Sequence, residues 1–101
     1  MKIRRLEKNI ILLDNLLIQT KRTKTHGYIV NISNKYKNLI NNLNISLKNK
    51  FLRKGITKIV KTKNLINVID AVLNEIDNTE AELILKKIQF DIINLDQELQ
   101  K

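Results

Sequence analysis

Lys48–Lys63 reads KNKFLRKGITKIVKTK, with seven basic residues (Lys48, Lys50, Arg53, Lys54, Lys58, Lys61 and Lys63) and no carboxylate. At 100° per residue, Lys50, Lys54, Lys58 and Lys61 fall within one arc of about 80°, and Leu52, Ile56, Ile59 and Val60 lie roughly opposite. The apolar sets on either side do not share that phase. Ile29, Ile32, Tyr36, Leu39, Leu43 and Leu47 before the stretch, and Leu65, Ile69, Val72 and Ile76 after it, project onto the basic side of the arc. One straight helix cannot bury all three sets, so breaks are expected near Lys48–Lys50 and Thr62–Asn64. The stretch is then a short basic amphipathic element, oriented separately from the core helices that flank it, with Gly55 as a possible turn inside it.

Working outward, the remaining chain reads as four longer helices. Zero Pro and two Gly leave little to punctuate hairpins or a sheet. The first helix, about Lys2 to Lys21, carries Ile3, Leu6, Ile10, Leu13 and Leu17 at the alternating steps of a coiled-coil seam. Lys21–Gly27, KRTKTHG, reads as a polar loop closed by Gly. A second helix runs from Tyr28 towards Leu47 on Ile29, Ile32, Tyr36, Leu39 and Leu43, with Tyr36 at the core edge. Its polar face is mostly Asn, a mediocre helix former, so packing must hold it. After the basic element comes a helix over about Asn64 to Asp77. The last begins near Thr79, where Thr79 and Glu82 fit a capping box, and repeats Ala81, Leu85, Ile88, Ile92, Leu95 and Leu99. The fold class is therefore all-α: an antiparallel bundle of about four main helices plus the short basic element, in a single domain over residues 1–101.

Charge is partitioned along the chain. Residues 1–14 carry net +2, residues 15–69 carry twelve bases and no acid, and residues 70–101 carry net −5. Ile, Asn and Lys make up 46 of 101 residues, as an AT-rich genome tends to write. Such codons also encode Asp and Glu, so their absence from residues 15–69 needs another reason. Either a polyanionic partner or attraction to the chain's own acidic C-terminal part supplies one.

Enzymatic chemistry is not expected, and neither catalytic, metal-binding nor cofactor-binding residues are assigned. The single His26 lies in a basic loop with no carboxylate nearby in sequence, and Glu80, Glu82, Asp96 and Glu98 read as a helix start and a solvated helix face. There is no phosphate-cradling Gly-rich motif. With no Cys, a reducing compartment fits. The N-terminal apolar run is broken by Asp14 and Asn15, and no segment reaches the length of a membrane span; a cytoplasmic location is the expectation.

Function is then expected to be binding. The basic face Lys50, Arg53, Lys54, Lys58 and Lys61 is the candidate site, with Lys21, Arg22 and Lys24 as a secondary basic loop. A protein partner or self-association comes first, because Ile11, Leu12, Ile18, Ile84 and Phe90 lie off the helical seams and form an unusually large apolar patch if left in water. The alternative is nucleic-acid binding without sequence readout, since Lys outnumbers Arg 15 to 4 and suits phosphates better than base edges. An anionic membrane surface is a third partner class. In length, positive charge, absence of Cys and helix count, the chain resembles the small cytosolic immunity proteins of bacteriocin producers. That resemblance spans the whole chain on these gross features and implies an antiparallel bundle acting at the membrane face.

Overall fold

The computed structural model of the chain describes residues 3–48 and 56–100, the side chain of Thr57 excepted. Five helices are present among the described residues: α1 (Ile3–Gln19), α2 (Thr25–Lys48), α3 (Ile56–Val60), α4 (Thr62–Leu73) and α5 (Thr79–Leu99). Four are long and one is short, in the order expected.

Side-chain contacts fix the directions. Thr20 reaches His26 while Asp14 reaches Lys37, so α1 and α2 run antiparallel. Arg5 lies against Asp91 at one end of α1. At the other, the Gln19 amide, turned so that its nitrogen faces Glu80, donates to Oε2 at 3.1 Å. α1 and α5 are therefore antiparallel too. Thr62 meets Asp96 and Asp70 meets Gln89, which sets α4 antiparallel to α5. With α2 packed on α4 as well, the long helices close an up-down-up-down ring in the order α1, α2, α4, α5.

α3 packs against α2 and α5, the same two helices that α1 touches. α2 has 24 residues, about 36 Å of helix, against 17 residues in α1. α2 and α5 thus extend beyond the start of α1, and α3 fills the fourth side of the bundle there. Its Ile56 and Val60 are buried and its Lys58 is exposed. This is why an amphipathic element is needed at that point: without it the apolar overhang of α2 and α5 would face water. The whole measures 43 × 21 × 18 Å.

Core residues come from all five helices. α2 buries the expected positions and α5 all of them but the half-buried Leu99, and Tyr36, expected at the core edge, is fully buried. α1 departs. Its buried residues are Leu6, Asn9, Leu13 and Leu16, while Ile3, Ile10 and Leu17 are only half-buried. The helix is rotated by about 60° from the seam expected at 100° per residue, because Asn9 is drawn inward by the partners described below.

Boundaries moved in three places. α2 starts at Thr25, not after Gly27, so His26 and Gly27 lie in its first turn and the connection shrinks to residues 20–24. Thr20 makes this possible: its hydroxyl donates to the Leu16 carbonyl (2.7 Å), and its own carbonyl accepts from the backbone and hydroxyl of Thr23. α4 begins at Thr62 and stops at Leu73, leaving the half-buried Ile76 beyond its end. α5 is capped by Asn78, whose side chain accepts from the Ala81 N–H at 3.0 Å, and not by Thr79. Asn is among the strongest capping residues, and here it precedes the expected Thr by one position.

Candidate functional site

Of the basic face assigned from sequence, Lys50, Arg53 and Lys54 lie outside the described residues. Lys58 and Lys61 are described and exposed. Lys58 projects from α3 on the side opposite Ile56 and Val60. Lys61 forms the break between α3 and α4 alone, with φ 56° and ψ 43°, a left-handed conformation that costs a non-glycine residue roughly 1 kcal/mol. The break falls one residue before the expected stretch and accounts for the change of helical phase.

That strained corner is pinned from α5. The Thr62 hydroxyl donates to Asp96 Oδ1, and Asp96 Oδ2 accepts from Gln100 Nε2 at 2.8 Å. Asp96, expected on a solvated helix face, is buried. Its carboxylate stands at the start of α4, where the helix dipole is positive and Lys61 offers no acceptor side chain to cap the free N–H groups. Lys58, Lys61 and Lys63 are exposed at this end of the bundle.

Ion pairs within the chain hold little of the described part of the basic region. Among the described residues, the only base of residues 15–69 with an ion-pair partner is Lys37, 3.3 Å from Asp14. Glu82 pairs with Lys86, and Asp91 with Arg5 and Lys87. Among the described residues, Lys58, Lys61 and Lys63 form no ion pair with the acidic C-terminal part. The secondary loop is placed differently. Lys21, Arg22 and Lys24 are exposed, with Arg22 also left-handed at φ 71°. Their end of the bundle is shared with the α4–α5 connection, which brings Glu75, Asp77 and Glu80. The two basic clusters are thus held at opposite ends and do not form one surface.

Sequence reasoning missed a buried polar constellation that joins three helices. Asn9 of α1, Tyr36 of α2 and Asp91 of α5 meet in the interior. Asn9 Nδ2 donates to Tyr36 Oη (3.2 Å) and Asp91 Oδ2 (3.0 Å), and Tyr36 Oη donates to the Leu6 carbonyl (2.6 Å). Lys87 Nζ donates to Asn9 Oδ1 (2.8 Å) and to Asp91 Oδ2 (3.2 Å), with Arg5 3.8 Å from Asp91 Oδ1. Each member is satisfied, as burial of polar groups demands. Three helices are locked in register by it.

Burial pushes the Tyr36 hydroxyl well above its ordinary pKa; the Asn9 hydrogen bond lowers it in part, and the Asp91 charge raises it again. The folded chain thus holds this proton more tightly than the unfolded chain. The associated stability is intact below the ordinary tyrosine pKa of about 10 and is lost above it, by about 1.4 kcal/mol per pH unit. In a Tyr28→Phe variant, which leaves Tyr36 as the sole tyrosine, tyrosinate absorbance is expected to rise only together with loss of helicity in an alkaline titration. Tyrosinate in a fully helical protein would contradict this.

No helix of the described residues is long and apolar enough to cross a membrane. No protein-family model, curated protein or solved structure matches the chain, so the reading of its function rests on the geometry above.

Proposed function

We propose that the protein binds the phosphate backbone of nucleic acid through the α3 end of the bundle, without reading sequence. The supporting observation is the division of labour in α3. Ile56 and Val60 are buried against α2 and α5, while Lys58 and the adjacent Lys61 and Lys63 are exposed and without ion pairs among the described residues. With Ile56 and Val60 spent on the core, the described part of the element offers a partner chiefly charge. A protein partner, placed first on sequence grounds, normally also takes an apolar anchor. A membrane surface requires the apolar face that α3 has already buried. Phosphates need only cations, and lysine supplies them as point charges.

The test is titration of a short labelled DNA duplex over a series of salt concentrations, with anionic vesicles and an acidic protein in parallel. Affinity for the duplex is expected to fall steeply and linearly on a log–log plot, by roughly 0.9 per neutralised phosphate. Binding to vesicles or to the acidic protein in preference to the duplex would refute the reading.

A further inference from the structure

We infer that the outer face shared by α1 and α5 docks a second copy of this chain, about a two-fold axis parallel to the bundle, with α1 of each protomer against α5 of the other. Four large apolar side chains stand out on this face: Ile11 (62% exposed), Ile18 (73%), Leu83 (64%) and Phe90 (60%). On each helix the two are seven residues apart, about 10.5 Å along the axis. The Gln19–Glu80 and Asn9–Asp91 contacts set the antiparallel register, which brings Ile18 level with Leu83 and Ile11 level with Phe90 to within about one turn. Half-buried Leu12 and Ile84 lie on the side of each helix facing the other and floor the groove between them. The exposed apolar residues of α2 (Tyr28, Val30 and Ile45) show no such order, being scattered in phase and level.

Three considerations select a second copy as the occupant. A two-fold axis along the bundle preserves levels, so Ile11 meets Phe90 of the partner subunit and Ile18 meets Leu83 of the partner subunit. The matched seven-residue spacing makes the face complementary to itself, as an isologous interface must be. Charge agrees. α1 and α5 together carry five bases and seven acids, net −2, in a chain of +9. Two copies of so basic a chain repel less across this face than across the basic side formed by α2 and α3. Exposed Arg4 and Glu98, neither in an ion pair among the described residues, come level with each other across the same axis. Area is also adequate. The four side chains expose roughly 400 Å² per protomer, at roughly 150 Å² for each when fully exposed. Two protomers bury about twice that, and the polar rim brings the total to the ~1,200 Å² lower bound of a specific interface. The dimer would carry both α3 ends on one side, but the inference does not depend on nucleic-acid binding.

The full-length chain in sedimentation equilibrium, with no nucleic acid present, is expected to give the dimer mass at micromolar concentration. Because the chain has no Cys, Ile11→Cys and Phe90→Cys are clean probes at exposed positions that leave the fold intact. Mixed and mildly oxidised, the two variants are expected to give the mixed disulfide in clear excess over either self-disulfide. Ile18→Asp, also at an exposed position, is expected to give monomer with unchanged helicity. A monomer mass for the parent chain, self-disulfides in excess, or a dimer undisturbed by Ile18→Asp would each overturn the inference.

Discussion

Replacing Asp91 by Ala is expected to lower the unfolding free energy by about 2–4 kcal/mol. Asp91 is buried, and it accepts from Asn9 at 3.0 Å and from Lys87 at 3.2 Å, with Arg5 at 3.8 Å. The two cations are more than half exposed and rehydrate when the carboxylate is removed, so little of the cost is Coulombic. The rest comes from the interior. Asn9 keeps Tyr36 as its only remaining amide acceptor, and an unfilled volume opens where α1 meets α5. For a domain of this size each kcal/mol moves the melting temperature by roughly 4–8 °C, so a fall on the order of 10–20 °C is expected in a melt followed by circular dichroism. A shift below about 4 °C, equivalent to less than 1 kcal/mol, would mean that the constellation does not hold the three helices in register. Replacing Asn9, Tyr36 and Asp91 together by Leu, Phe and Leu is expected to recover most of the stability, because no polar group is then left orphaned.

Val60→Asp is expected to release α3 without unfolding the bundle. Val60 is 2% exposed and Ile56 8%, and both face the overhang of α2 and α5. An unpaired carboxylate there costs several kcal/mol, whereas a five-residue helix has no stability of its own. Undocking is therefore cheaper than burying the charge. Hydrogen exchange should show protection abolished across Ile56–Val60 and reduced near Leu43 and Leu95, with the amides around Leu13 and Ile88 unaffected. Uniform loss of protection, or none, would contradict the role given to α3.

Much of this architecture was legible in the chain. The α5 pattern from Ala81 to Leu99 needs only periodicity, and the change of phase around Lys48–Lys63 marks a separate element. What α3 is for was not legible. The overhang it covers exists only because α2 is longer than α1, a relation between helices that no local pattern records. Asn9 was hidden for a related reason. Its partners Tyr36 and Asp91 lie 27 and 82 residues away, and among 14 Asn residues one more polar position on α1 carries no signal. Discounting it rotated the expected core face. Asp96 was misread in the same way, since its burial depends on Thr62, 34 residues distant. The Thr20 hydroxyl, which shortens the first connection and lets α2 start at Thr25, also acts through its contacts. Of the basic face, Lys58 is exposed as its helical phase in α3 implies, whereas Lys61 is exposed at the left-handed break between α3 and α4.

Under the function proposed above, the cations at the α3 end face solvent for a partner and do not hold the fold together. The most direct test is the double variant Lys58→Glu/Lys61→Glu, measured for melting temperature and for duplex affinity in the same buffer. Exposed charges alter stability by no more than ~0.5 kcal/mol each, so melting should shift by only a few degrees. Duplex affinity should fall sharply, and the salt plot should flatten by roughly 0.9 for each phosphate that is no longer neutralised. A variant that melts many degrees earlier yet binds the duplex as tightly as the parent chain would contradict the account.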